Sequence, residues 1–121
     1  MANTFKVATF AAEPASAGTP YVMYTIAGST TGVVLGLILT NLNTTSVTAE
    51  VELVSTTSNR SVANNTQNGT SFLIKDVNIP AGSSLEVLTG GKVVMETTDV
   101  LKIDCSVADK LSGTLSIMEI T

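Results

Sequence analysis

The sequence predicts an all-β protein: an antiparallel β-sandwich of about eight strands, with a jelly-roll or immunoglobulin-like strand order. Three observations carry that expectation. Apolar and polar residues alternate with a period of two, as where Val47, Ala49, Val51 and Leu53 oppose Thr48, Glu50 and Glu52. Turn chemistry recurs between such runs, at Pro80-Ala81-Gly82, Gly90-Gly91 and Thr97-Thr98-Asp99. No window shows a helical period.

In chain order, residues 1–20 are rich in Ala, Ser, Gly and Pro and read as an N-terminal arm, with Phe5, Val7 and Phe10 as its anchors and a short strand at Thr4–Phe10. The sandwich domain is expected over residues 21–121. Tyr21–Ala27 is a strand closed by Gly28. Val33–Leu42 is apolar on both faces, as a strand covered on both sides would be. A turn at Asn41–Ser46 joins it to Val47–Val54, and the two together suggest a hairpin with one wet face. Residues 55–70 read as a long polar loop, either functional or a solvated linker. Phe72–Ile79 follows. Ser84–Leu88 and Val93–Glu96 flank Gly90-Gly91, where glycine accepts the positive φ of a hairpin turn. Val100–Ala108 points Leu101, Ile103, Cys105 and Val107 inward and Lys102, Asp104 and Ser106 outward. Thr114–Ile120 closes the chain, with Leu115 and Ile117 opposing Ser116 and Met118.

A chain of 121 residues makes one domain and buries roughly two-thirds of the surface its unfolded form exposes, enough for a core without staples. Charged residues are 13% of the chain, about half the usual share, so a neutral Thr-, Ser- and Asn-rich surface takes their place. That surface suits either a sheet face in water or a contact between subunits. The net charge of −4 and the scattering of Lys6, Arg60, Lys75, Lys92, Lys102 and Lys110 argue against a nucleic-acid partner. A single cysteine excludes an intrachain disulfide. No secretory signal is visible, and the longest apolar run, Val33–Leu39, is far short of the ~20 residues of a membrane span. The expectation is a product made in a cytoplasm, without a membrane partner.

No histidine is present, which removes the commonest general base and the usual zinc ligand. Cys105 falls on an inward position, where a small buried hydrophobe is expected rather than a catalytic thiol. Glu50, Glu52, Glu86, Glu96, Asp99 and Asp104 could in principle pair for glycoside hydrolysis, but they fall on exposed alternation positions or in turns, and the chain has no Trp and two Tyr to platform a sugar. Solvated charge is the expectation. Asp76, Asn78 and Asp99 are the candidates for a calcium site, although no loop has a dense oxygen-ligand pattern. Sequons at Asn43, Asn59, Asn64 and Asn68 follow from the Thr- and Asn-rich composition. No catalytic, cofactor-binding or metal-binding residue is assigned, and no cofactor or small-molecule substrate is expected.

Two stretches, YTIAGSTTGVVLGLILTNLNTTSVTAEVEL and LIKDVNIPAGSSLEVLTGGKVVMETTDVLKI with the terminal LSIMEIT, resemble small virion structural proteins of tailed bacteriophages, particularly those of marine and cyanobacterial phages. The resemblance spans Tyr21–Thr121, about four-fifths of the chain. It implies a non-enzymatic virion component assembled in the host cytoplasm, foremost a capsid decoration (cement) protein. A neck, tail or baseplate protein of the same fold is the alternative, and a host-glycan-binding module is the alternative of another class. The implied partners are the major capsid protein or other virion proteins and further copies of the chain, with the arm adding a strand to a neighbour's open sheet edge.

Overall fold

The computed structural model describes residues 2–55 and 69–121. Their nine strands are β1 (Asn3–Glu13), β2 (Tyr21–Thr25), β3 (Thr31–Asn41), β4 (Val47–Val54), β5 (Thr70–Ile79), β6 (Ser84–Glu86), β7 (Val93–Met95), β8 (Val100–Cys105) and β9 (Leu111–Ile120). Two antiparallel sheets stack. The first has the order β1-β9-β3-β6, with β7 also on β3; the second has the order β2-β8-β4-β5. With β6 and β7 counted as one broken strand, this is the jelly-roll order. Each strand of the first half pairs with its counterpart from the second half, counted back from the far end: β1 with β9, β2 with β8, β3 with β6 and β7, and β4 with β5. The chain is therefore one long hairpin, wrapped on itself, whose tip lies between β4 and β5. Most of the expected polar loop at 55–70, with Arg60 and the sequons at Asn59, Asn64 and Asn68, falls outside the described residues.

The core sits where alternation places it. Leu37, Leu39, Leu115 and Ile117 of the first sheet face Ala49, Val51, Leu101 and Ile103 of the second, all at 0% exposure. Each fully buried Leu or Ile side chain contributes roughly 1.5–3 kcal/mol relative to leaving it in water. Phe10 and Tyr21 pack ring against ring at 5.3 Å where β1 meets β2.

Several expectations change once the sheets are known. Residues 2–20 do not form a free arm. Asn3–Phe10 pairs with Ile120–Gly113 in unbroken register, and the register shifts only beyond Phe10. Residues 14–20 are a tied corner: Gly18, at φ +85°, donates to Asp104 Oδ1 at 3.2 Å, and Asp109 N donates to Pro14 O at 2.8 Å. Deleting residues 2–12 would uncover one edge of β9 and remove Phe10 from the core, so it cannot leave the sandwich intact. The reason the strand reads poorly is an inverted pattern. Thr4, Lys6, Ala8 and Phe10 face the inner side, opposite Glu119, Ile117, Leu115 and Gly113, while Phe5 and Val7 face out.

β3 and β4 are not a hairpin; they lie in different sheets, and the turn between them crosses the sandwich. Nor is Gly90-Gly91 a hairpin turn. β6 and β7 do not pair with each other; both lie on β3, at Leu39 and Val33, with Val87 N still donating to Leu37 O at 2.8 Å before the chain leaves β3. Gly90 does adopt positive φ, at +74°. Pro80–Ser83 is a turn, with Ser83 N donating to Pro80 O at 3.1 Å and Gly82 at φ +68°, as a type II turn requires at its third residue. β8 ends at Cys105 because the Ser106 hydroxyl takes over as acceptor for Thr48 N at 3.0 Å. Val107, expected inward, is exposed.

Candidate functional site

Three places could carry chemistry or contact. The first is a buried charge. Glu119 continues the inward face of Leu115 and Ile117, and its carboxylate is nonetheless 7% exposed as a residue. It survives there because two donors reach it: Lys6 Nζ from β1 at 2.7 Å, and the Tyr24 hydroxyl from β2 of the opposite sheet at 2.6 Å. The Lys6 hydrogen bond, helped by that of Tyr24, holds the Glu119 carboxyl below its ordinary range against desolvation. Burial, reinforced by the hydrogen bond and charge of Glu119, pushes the Tyr24 phenol up to about 12. A carboxylate so occupied is a clasp between sheets, not a free general base. Sequence alternation missed it, although an acidic residue at an inward position of the Leu115–Ile117 series was the available signal.

The clasp has a testable pH signature. A lowered carboxyl pKa contributes stability above its unfolded value of ~4.3, which is lost as pH falls through the folded value. A raised phenol contributes stability fully present below ~10 and lost as pH rises toward the folded value. Glu119→Gln is expected to cost about 1–2 kcal/mol at neutral pH, the figure being kept small because Lys6 is half exposed. It should also flatten the acid limb of the stability curve. Urea unfolding from pH 3 to 7 measures both, and an acid limb unchanged by the substitution would contradict the clasp.

The second place is a shallow acidic depression of about 350 Å³ beside β4, β5 and β8, lined by Glu50, Asp76, Asp104 and Cys105 among others. Its carboxylates have other duties. Glu50 pairs with Lys75 at 3.0 Å, which raises the lysine's pKa. Asp104, expected outward, is 9% exposed and accepts from the backbone N–H of Cys105 at 2.8 Å as well as from Gly18. Cys105 is buried as its position implied, and desolvation raises its thiol pKa, the opposite of an activated nucleophile. Glu52 is half-buried and Glu86 exposed, on different sheets. Asp99 is buried in the Glu96–Asp99 turn, where its Oδ2 accepts from Glu96 N at 2.9 Å. The calcium candidates are not brought together. Asn78 pairs with Thr48 at one end of the second sheet, whereas Asp99 precedes Val100, which pairs with Val54 at the other. Among the described residues, no three His, Cys, Asp or Glu side chains are grouped to hold a metal.

The third place is the outer face of the first sheet. Register aligns Phe5 with Met118, Met118 with Val33, and Val33 with Val94, an apolar row crossing four strands. Phe5 is 72% exposed, Val94 59% and, one step along β1, Val7 67%. The neighbouring row runs Val7, Ser116, Gly36, beside the exposed Leu35 at the bulge in β3. Neither row holds a charge. A shallow groove of about 400 Å³ lies between Phe5, Val7, Leu35 and Ser116. Contiguous exposed apolar rows of this kind mark contact surfaces. The sequence hid this one because its members come from four strands widely separated in the chain.

No protein-family model matches the chain, and no curated protein matches it. Among solved structures it is similar to one described as "Bacillus endospore appendages form a novel family of disulfide-linked pili", with a TM-score of 0.49 and 15% identity, covering 99% of this chain and 87% of that chain.

Proposed function

We propose that the chain is a non-enzymatic structural protein of a bacteriophage virion, a decoration (cement) protein that binds and reinforces the head lattice. The observation that carries the assembly part of this reading is the uncharged Phe5–Met118–Val33–Val94 row on an outer sheet face. A face of that composition loses little on being covered, since it has no charge to desolvate. Supporting it, Glu119 and Glu50 are engaged in ion pairs and Asp99 in a turn, and the free thiol is buried. The phage part rests on the sequence resemblance. On a symmetric lattice many identical contacts add through effective concentration, so each can be modest. The partner is then the major capsid protein, and the location the virion.

Quantitative mass spectrometry of purified virions tests this. A head-decorating protein is expected in hundreds of copies per particle. A few dozen copies would instead favour the neck, tail or baseplate, and absence from the particle would overturn the virion reading altogether.

A further inference from the structure

The two sheets present four lateral edges, and three of them are blunted. β2 is five residues long, with a register shift between Val22 and Tyr24. β5 carries Asp76 at φ +51°, two register shifts against β4, and Lys75 held between Glu50 and the Phe72 ring. The edge opposite β1 is broken into β6 and β7, of three residues each. Short, bulged and charged edges are the devices by which sheet proteins prevent strand addition.

β1 has none of these over Asn3–Phe10. Its register is unbroken, no proline interrupts it, and its one charge in that stretch, Lys6, points to the inner side and is neutralised by Glu119. Ala2 and Thr121 exchange both backbone hydrogen bonds, at 3.2 and 3.0 Å. Alternation along an antiparallel ladder then assigns Thr4, Lys6, Ala8 and Phe10 to β9, and turns the N–H and C=O groups of Asn3, Phe5, Val7 and Thr9 toward the open edge.

Those four residues also read alike in both directions: polar, apolar, apolar, polar. A strand with that order is complementary to itself when run antiparallel. We infer that β1 is a docking strand for a second copy of this chain, pairing across a two-fold axis at Lys6. Asn3 then faces Thr9 of the other copy, and Phe5 faces its Val7. About eight backbone hydrogen bonds form, and the first sheets of both copies become one continuous sheet. The apolar rows meet at the junction, so Phe5 and Val7 of both copies form a single cluster joined to Met118 and Val33. The two Lys6 ammoniums face each other on the inner side, each held by its own Glu119. This inference does not depend on the virion reading, which the copy-number measurement decides separately.

Sedimentation equilibrium of the purified full-length chain over a range of concentrations tests it. The wild type is expected to be dimeric. Val7→Pro removes an N–H that faces the open edge and leaves the bonds to β9 in place. It should weaken the dimer about tenfold to a hundredfold, because symmetry removes the bond twice. Far-ultraviolet circular dichroism and thermal unfolding verify that the variant is folded. Thr9→Lys, a charge on the same edge that takes nothing from the core, serves if Val7→Pro does not fold and should give the same loss. Phe72→Ser, on the blunted β5 edge, should leave the mass unchanged. A monomeric wild type, a dimer indifferent to the β1 variants, or equal dissociation by Phe72→Ser would overturn the inference.

Discussion

Gly113→Val is expected to destabilise the protein by roughly 3 kcal/mol, lowering the thermal midpoint by about 10 °C. Gly113 pairs with Phe10 across β9 and β1, and the phenyl ring lies where a side chain would stand. A Cβ there would meet Phe10 Cζ at 2.5 Å, and the ring cannot swing away freely because Tyr21 packs against it at 5.3 Å. Absent the ring, valine would favour a strand position over glycine, so the sign of the effect rests on the clash alone. A double-mutant cycle makes this decisive. Phe10→Ala by itself should cost about 3–4 kcal/mol as a near-buried aromatic truncation. In that background Gly113→Val should cost little or even stabilise. If valine is as damaging without the ring as with it, the packing account is wrong.

Asn41→Ala is expected to cost a further distinct sum, roughly 2–4 kcal/mol, by emptying the corner where β3 leaves the first sheet. The Asn41 side chain is 1% exposed and fully used. Its Nδ2 donates to Thr45 O at 3.0 Å and to Ile79 O at 2.9 Å, and its Oδ1 accepts from Asn43 N at 2.7 Å. One amide therefore shapes the β3–β4 turn and ties it to the end of β5 in the other sheet. Asn41→Asp keeps the acceptor but turns a carboxylate oxygen toward two carbonyls. At neutral pH it should be no better than alanine. Chemical denaturation of the two variants measures the difference, and an aspartate variant near wild-type stability would show that the donors to Thr45 and Ile79 are not what holds the corner.

These two residues illustrate how much of the site and fold was legible. Asn41 reads as a turn residue from sequence, whereas it ends β3 and only its side chain enters the turn; that its amide reaches Ile79, thirty-eight positions away, is invisible to local pattern. Gly113 falls just before the strand expected at Thr114–Ile120, whereas it lies inside β9, with the Phe10 ring filling its empty side. Phe5 and Val7 read as anchors, as exposed apolar residues seldom are anything else in a sequence, yet they face outward while Lys6 takes the inner position with Glu119 as its counter-ion. The clasp and the apolar row were both missed, since each assembles residues from strands at opposite ends of the chain.

By itself the sequence determined the β character, the positions of most strands, the place of the Pro80–Ser83 turn, and the inward faces of β4, β8 and β9. All of these follow from period-two backbone geometry and from the φ preferences of glycine and proline, which act over a few residues. Only the tertiary structure decided which sheet each strand joins, that residues 3–13 close one sheet edge rather than hang free, and that Gly90-Gly91 interrupts a strand instead of turning a hairpin. Pairing partners are chosen by which faces bury together once the long hairpin wraps. Alternation says that a strand has a face to bury, and it does not say against what.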